Sequence, residues 1–178
     1  MQSHLWTHLL RSPRTTGSLV PSSAHLARAM ADCARGASRV LELGAGTGPV
    51  TLALRRHFDL AQLRCVELQP QMAARLQREH PGLAVVHGCA LAALRDDVAS
   101  PGTAVVSSLP FRSLPDAFKA EFVRELGLFL HRCPDAFVVQ FTYQPRAPFS
   151  PPPGWRWHRG PFVLANFPPA RVWVLRKA

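Results

Sequence analysis

The fold is decided by VLELGAGTGPVT, residues 40–51. The apolar residues up to Leu43 predict a short buried strand, and the segment from Thr47 to His57 predicts a helix. The turn between strand and helix contains glycine at every second position, namely Gly44, Gly46 and Gly48. Glycine adopts a positive φ without strain and lets a ligand approach main-chain N–H groups closely. The spacing therefore favours a ligand-binding strand–turn–helix unit over the same unit without a ligand.

Apolar segments that predict strands alternate with segments that predict helices along the rest of the chain. Further strands are predicted at residues 62–68, 82–88, 102–111 and 135–143, and further helices at residues 70–80, 91–95 and 115–133. Such alternation produces right-handed βαβ units and a parallel sheet with helices on both faces. The alternating segments 155–164 and 171–177 predict two more strands, which close the sheet as an antiparallel pair. The expected fold class is α/β, with a mostly parallel seven-stranded sheet.

The N-terminal 36 residues lie outside this alternation. A serine, Ser22 or Ser23, is expected to cap a helix that stops at Gly36. Residues 1–36 are therefore expected to form a helical segment that caps the substrate or lies on a membrane surface. Residues 37–178 are expected to form one domain, which is long enough to bury a substantial core.

Composition excludes several classes of protein. With 47% hydrophobic residues the chain is typical of a globular protein, and no apolar run reaches the ~18–20 residues that cross a bilayer. No secretory signal is recognisable at the N-terminus. The cysteines have neither C-x-x-C nor histidine-paired spacing, so we expect reduced thiols of a cytoplasmic protein, with no disulfide and no metal site. They are Cys33, Cys65, Cys89 and Cys133.

The excess of positive charge is the unusual feature of the composition. Lysine and arginine total 21 against 11 for aspartate and glutamate, which gives a net charge of +10 and a pI of about 11.1. Such a surface favours polyanions, either nucleic acid or an anionic membrane. Only Lys119 and Lys177 are lysines, so an arginine-rich genome is another source of the excess. Charge alone does not decide between RNA and lipid.

Candidate cofactor ligands fall near the carboxyl ends of the predicted parallel strands, where open sheets of this kind bind ligands. Glu42 lies in the first strand beside the glycine turn. Glu67 ends the second strand, nineteen residues after Gly48, where a carboxylate accepts hydrogen bonds from ribose hydroxyls. A solvated surface group is the alternative for Glu67. The third strand is followed by Cys89 and Ala90, and the backbone N–H of Ala90 is expected to reach an adenine ring.

A proline-containing turn and a single tyrosine complete this edge of the predicted sheet. A turn stiffened by proline aims a backbone carbonyl and a side-chain acceptor at an amine, with an aromatic ring packed over it. The sequence SSLPF supplies these groups in Ser108, Leu109, Pro110 and Phe111. An ordinary strand-to-helix turn is the alternative. Tyr143 follows the fifth strand and is expected either to hold a methylated ammonium against its ring or to be a boundary residue with a wet hydroxyl.

Together these motifs resemble one group of enzymes. The G-x-G-x-G spacing resembles motif I of S-adenosylmethionine-dependent methyltransferases, whereas a dinucleotide fingerprint needs glycine where Pro49 stands. The chain looks most like the soluble bacterial phospholipid N-methyltransferases, which convert phosphatidylethanolamine toward phosphatidylcholine, and more distantly like the ribosomal RNA adenine dimethylases. The similarity is carried by residues 11–23, 40–51, 66–76, 105–115, 138–145 and 166–177.

The resemblance implies a Rossmann-like class I methyltransferase domain with S-adenosylmethionine as the cofactor and no metal. The residues implied for cofactor binding are Glu42, Gly44, Ala45, Gly46, Gly48, Glu67, Leu68, Cys89, Ala90 and Ser107. The implied catalytic residues are Ser108, Leu109, Pro110, Phe111 and Tyr143. The implied substrate-binding residues are Arg14, Thr16, Gly17, Ser18 and again Tyr143. Cys89 departs from the family, because an aspartate commonly accepts from the adenine amino group at that position.

The resemblance further implies methyl transfer to the amine of phosphatidylethanolamine or a related aminolipid. Such a protein is cytoplasmic and peripheral to the inner face of the cell membrane, with its basic N-terminal segment on the anionic phospholipid surface. Methylation of adenine N6 in RNA is the alternative, and it is supported by the charge and by the proline turn. The dimethylases, however, carry asparagine where Ser108 stands. A non-catalytic scaffold with a methyltransferase fold is the third possibility, supported by Cys89.

Overall fold

The computed structural model describes residues 23–98 and 100–178. The helices in these ranges are α1 (Ala24–Cys33), α2 (Pro49–Leu54), α3 (Pro70–Glu79), α4 (Ala90–Asp96) and α5 (Asp116–Arg132). The strands are β1 (Arg39–Leu43), β2 (Leu63–Glu67), β3 (Ala84–His87), β4 (Thr103–Ser107), β5 (Phe137–Thr142), β6 (Trp155–Val163) and β7 (Ala170–Lys177). Single 3-10 turns occur at Leu60–Gln62 and Phe111–Ser113.

The strands of the described residues form one seven-stranded sheet in the order β3-β2-β1-β4-β5-β7-β6. Strands β1 to β5 pair in parallel, and β7 pairs antiparallel with both β5 and β6. Leu43 lies opposite Ser107, and Ser107 lies opposite Gln140. The carboxyl ends of β1, β4 and β5 therefore meet at one edge of the sheet. The fold class predicted from the alternation of strands and helices is confirmed.

Helices cover both faces of the sheet. Helix α1 begins after Ser23, whose hydroxyl accepts a hydrogen bond from the Leu26 N–H at 3.2 Å, as an N-cap residue does. Leu26 and Met30 of α1 are fully buried in the same core cluster as Val139 of β5. On the opposite face, α5 buries a row of aromatic and aliphatic side chains against β1, β4 and β5, namely Phe118, Phe122, Leu126, Phe129 and Leu130.

Two predicted elements are shorter in the structure. The helix expected over residues 47–57 spans Pro49–Leu54, because Gly48 has a left-handed φ of 86° and Pro49 takes the first helical position. The strand expected over residues 102–111 ends at Ser107, because the chain leaves the sheet at the proline turn. Both differences lengthen the loops at the carboxyl edge of the sheet.

The described residues contain no helix that is long and apolar enough to cross a bilayer. Residues 1–22 of the N-terminal segment, which the sequence suggests as a substrate cap or a membrane-surface element, lie outside the described residues, so that role stays a prediction.

The α5 face provides a direct test of the packing. Phe122 is fully buried against Phe111 and Phe118, whereas Leu128 on the same helix is 47% exposed. Phe122→Ala leaves a cavity and is expected to lower the free energy of unfolding by about 3–5 kcal/mol. Leu128→Ala, the matched control, is expected to change it by less than about 1 kcal/mol. Urea denaturation measures both, and equal losses would contradict the packing described here.

Candidate active site

The glycine turn after β1 leaves open space above Gly46. Gly44, Gly46 and Gly48 have positive φ angles of 75°, 56° and 86°. A Cβ atom on Gly44 would lie 2.9 Å from Leu109 Cδ2, and one on Gly48 would lie 2.8 Å from Leu76 Cδ1. A Cβ atom on Gly46 would have no atom nearer than the Gly44 carbonyl oxygen at 4.0 Å. Leucine side chains crowd Gly44 and Gly48, whereas Gly46 borders free space, and the positive φ favours glycine at all three positions.

Glu67 at the end of β2 contacts this turn. Its Oε2 accepts a hydrogen bond from the Gly46 N–H at 2.8 Å, and its Oε1 accepts one from the Gln69 N–H at 2.8 Å. The side chain is only 6% exposed. A carboxylate has about four lone-pair positions, so each oxygen keeps capacity for a further donor such as a ribose hydroxyl. The structure therefore brings Glu67 and the glycine turn together, as the sequence predicted, and their roles stay predictions.

Glu42 lies fully buried behind the turn. Its Oε2 accepts from the Thr51 hydroxyl at 2.7 Å and from the Cys65 thiol at 3.0 Å, and its Oε1 has no partner among the described residues. Burial raises the pKa of the Glu42 carboxyl above its ordinary value, an effect that the two hydrogen bonds partly offset. Burial, together with the neighbouring Glu42, also raises the pKa of the Cys65 thiol. The free Oε1 is an acceptor available to a cationic group.

The end of β3 lies beside the end of β2. The Gly88 N–H donates to the Glu67 carbonyl at 3.0 Å, which places the next residues close to the glycine turn. Cys89 stands at the N-cap position of α4, where its side chain caps no backbone group. Ala90 is buried and Leu68 half-buried. These residues line the same edge, but thiol sulfur is a weak acceptor, so Cys89 does not replace the aspartate that the family commonly has.

The proline turn after β4 is tied to β1. The Ser108 N–H donates to the Leu43 carbonyl at 2.9 Å, and Leu109 contacts Gly44. Pro110 has φ −75° and ψ 64°, and the Phe111 N–H donates to the Leu109 carbonyl at 2.7 Å, so residues 109–111 form an inverse γ-turn. The Ser108 Oγ is buried and has no partner among the described residues. It is the free side-chain acceptor of the turn.

Two expectations for this turn change in the structure. The Leu109 carbonyl was expected to face a substrate amine, but it already accepts from Phe111 N–H and from Gln140 Nε2 at 3.0 Å. Phe111 was expected to pack over the amine. It is instead buried against Phe122 and Phe149, with ring centroids 5.3 and 4.7 Å away, because the 3-10 turn directs it toward α5. Sequence analysis also missed Gln140, which lies in an apolar strand without a motif.

Tyr143 follows β5 at the same edge. Its ring is 42% exposed and packs edge-on against Phe141, with centroids 5.3 Å apart. Burial raises the pKa of the Tyr143 hydroxyl, and a hydrogen bond with the Asn166 side chain partly offsets that rise. Asn166 also accepts from the Ser23 N–H at 3.0 Å, which joins the start of α1 to the β6–β7 loop. The exposed part of the Tyr143 ring is open to contact with a ligand.

The other predicted site residues fall into two groups. Ala45 and Ser107 are buried in the site, with the Ser107 Oγ accepting from the Leu109 N–H at 3.4 Å. The predicted substrate-binding residues near the N-terminus lie outside the described residues, namely Arg14, Thr16, Gly17 and Ser18. Residues 23–98 and 100–178 hold no cluster of histidine, cysteine, aspartate or glutamate suited to a metal ion.

Comparison with known proteins agrees with this architecture. No family model matches the chain. Among solved structures, the 23S rRNA methyltransferase ErmE aligns with a TM-score of 0.60 at 20% identity, over 85% of this chain and 67% of its own. A TehB-like SAM-dependent methyltransferase from Corynebacterium glutamicum aligns with a TM-score of 0.53 at 17% identity, over 98% of this chain and 97% of its own. The chain has the class I methyltransferase fold.

Similarity in sequence covers less of the chain. Ribosomal RNA small subunit methyltransferase A of Mycobacterium tuberculosis strain H37Ra is 43% identical over an alignment of 89 positions, which covers 44% of this chain and 27% of the relative. The chain thus matches 27% of the length of this curated relative. These comparisons support the predicted cofactor, S-adenosylmethionine. They lend no support to a phospholipid N-methyltransferase, and they agree better with the alternative, an RNA methyltransferase.

The described site fits that cofactor. Three observations carry the fit: the open space at Gly46, the lone pairs left on Glu67, and the unpartnered Oε1 of Glu42. The residues expected to hold the adenosine and methionine portions are Gly44, Ala45, Gly46, Glu67 and Ala90, with Glu42 behind them.

The raised pKa of Glu42 predicts how stability depends on pH. The folded state binds a proton at Glu42 more tightly than the unfolded state, whose carboxyl titrates near 4.5. Stability conferred by the neutral carboxyl is therefore lost as pH rises above that value. Glu42→Gln, which stays neutral, is expected to gain in free energy of unfolding relative to the wild type as pH rises above about 4.5. Urea denaturation without ligand at several pH values measures the difference. A difference that is constant with pH would contradict the assignment.

Proposed function

We propose that the chain is an S-adenosylmethionine-dependent N-methyltransferase, with the N6 amine of adenine in RNA as its acceptor. The observation that carries the proposal is the buried and unpartnered Ser108 Oγ on a proline turn that touches the glycine turn. A buried polar group without a partner costs about 1–3 kcal/mol, and a ligand that bonds to it removes that cost. The names of the relatives and the net charge of +10 favour RNA as the acceptor.

The chemistry requires orientation more than proton transfer. S-adenosylmethionine, when bound, would supply an electrophilic methyl group: the S–CH3 bond would break as the N–CH3 bond forms, S-adenosylhomocysteine would be the leaving group, and the proton lost by the amine would pass to water. An amine N–H that donates to the Ser108 Oγ would be held beside the contact between Leu109 and Gly44, next to the glycine turn. Holding the two reacting groups in this geometry lowers the barrier without a dedicated base. The contacts from Leu43 and Gln140 keep the turn in place while the acceptor binds.

A second candidate acceptor is the amine of phosphatidylethanolamine at a membrane surface. One observation favours it. Leu164 and Phe167 in the β6–β7 loop are 73% and 86% exposed, and they flank Asn166, which lies beside the Tyr143 hydroxyl. An apolar loop beside a half-exposed tyrosine suits contact with lipid, and the ring can hold a methylated ammonium.

Methyl transfer distinguishes the two acceptors. Purified protein is incubated with labelled S-adenosylmethionine and either ribosomal RNA or liposomes of phosphatidylethanolamine and phosphatidylglycerol, and products are identified by mass spectrometry. We expect N6-methyladenosine from the RNA and no methylated lipid. Methylated lipid without methylated RNA would replace the first acceptor by the second, and no transfer to either would contradict both.

Ser108 is tested in the same assay. Ser108→Ala is expected to reduce transfer by about tenfold or more, since loss of ~1.4 kcal/mol from the transition state is tenfold in rate. Ser108→Asn, which offers a longer acceptor, is expected to retain activity. Ser113→Ala changes an exposed serine at the end of the same loop and serves as the control. Equal rates for Ser108→Ala and Ser113→Ala would remove Ser108 from the acceptor site.

A further inference from the structure

Gln140 joins the middle of the sheet to the proline turn. The side chain is fully buried in β5. Its Nε2 donates to the Leu109 carbonyl at 3.0 Å and to the Phe141 carbonyl at 3.3 Å, which uses both amide hydrogens. Two carbonyl acceptors on the same side fix the orientation of the amide, because the reversed amide would place oxygen against oxygen. The remaining Oε1 is buried without a partner among the described residues.

An apolar residue would suit this position better if packing were its only role. The neighbours in β5 are Val138, Val139 and Phe141, all buried. A buried amide oxygen without a hydrogen-bond partner lowers stability by about 1–3 kcal/mol. Leucine, which is of similar size, has no polar atom and carries no such penalty. A buried polar residue in an apolar strand is expected where function requires it. Through its side chain, Gln140 reaches the candidate site by the bond to the Leu109 carbonyl.

The bond from Gln140 completes the attachment of the turn. Ser108 is held through its N–H by the Leu43 carbonyl on one side, and Leu109 is held through its carbonyl by Gln140 on the other. The Phe111 N–H takes the remaining lone-pair direction of the same carbonyl. With both ends of the Ser108–Leu109 unit attached, the side chain of Ser108 has one placement relative to the glycine turn.

We infer that Gln140 is a positioning residue of the methyl transfer: it holds the Leu109 carbonyl, closes that carbonyl to the acceptor and leaves the Ser108 Oγ as the group that orients the amine. The expected effect on the rate of methyl transfer rests on the proposed function. The claim that Gln140 holds the Leu109 carbonyl in place does not. Reacting groups must be held to within about half an ångström, so loss of one attachment lowers the rate although Gln140 contacts no reactant.

Two substitutions test the inference. Gln140→Leu removes the donor and keeps the volume, and we expect methyl transfer to fall by about tenfold or more while affinity for S-adenosylhomocysteine changes by less than about threefold. Hydrogen–deuterium exchange at the amides of Ser108, Leu109 and Phe111 should become about tenfold faster than in the wild type. Exchange at the amides of β5 should stay unchanged. Gln144→Leu, at an exposed glutamine four residues on, is the matched control and should alter neither quantity.

Gln140→Glu supplies an independent readout and a second variant if the leucine variant does not fold. A protonated carboxyl donates to the Leu109 carbonyl, whereas an ionised one repels it. Burial raises the pKa of such a carboxyl. We therefore expect this variant to lose activity relative to the wild type as pH rises from about 6 to 9. Over the same range, the ratio of its exchange rate at the turn to that of the wild type at the same pH should rise.

The outcomes separate the inference from the proposed function. Wild-type exchange at the turn in both Gln140 variants would overturn the positioning role. A merely structural role would give a different result: amide exchange would become faster over the whole sheet, cofactor affinity and methyl transfer would fall equally, and Gln140→Glu would show no added pH dependence. That result would also overturn the inference. If wild-type protein methylates neither RNA nor lipid, the proposed function fails, and the exchange data still decide whether Gln140 holds the turn.

Discussion

The carboxylate of Glu67 is the contact on which the rest of the candidate site depends. It accepts hydrogen bonds from the N–H groups of Gly46 and Gln69, both at 2.8 Å. Without Glu67, backbone hydrogen bonds would hold the turn after β1, from Gly44 and Ala45 to the Val66 carbonyl and from Gly48 to the Ala45 carbonyl. Because Glu67 ends β2, the parallel pairing of β1 with β2 sets where the turn lies. The sheet register and the ligand-binding turn are therefore one structural unit.

The acceptor side of the site is attached to that unit. The Ser108 N–H bonds to the Leu43 carbonyl, and the Leu109 side chain occupies the space that a Cβ on Gly44 would need. Movement of the glycine turn would thus displace the proline turn. Behind this contact lies the buried carboxyl of Glu42, where hydrogen bonds from Thr51 and Cys65 satisfy only one of the two oxygens. Under the proposed function, the cofactor and the acceptor would bind on the two sides of this contact, as a direct methyl transfer between them requires.

The sequence predicted those structural features that depend on residues close together in the chain. The glycine spacing, the register of Glu67 and the alternation of strands and helices are of this kind, and the structure places them as expected. What the sequence missed depends on residues far apart in the chain. Phe111 turns inward because Phe149, 38 residues later, packs against it. The Leu109 carbonyl is closed by Gln140, and a glutamine within an apolar strand has no periodic signal. The resemblance to phospholipid N-methyltransferases rested partly on residues 11–23, nearly all outside the described residues.

Titration calorimetry with S-adenosylhomocysteine tests the central claim most directly, because it requires no knowledge of the acceptor. We expect the wild type to bind and Glu67→Gln to bind about tenfold more weakly or worse, since one charge-assisted hydrogen bond of about 1.5–3 kcal/mol is at stake. Glu79→Gln, which changes an exposed glutamate paired with Arg75, should bind as the wild type does. Equal affinities for folded Glu67→Gln and Glu79→Gln, or no binding by the wild type, would contradict the site described here.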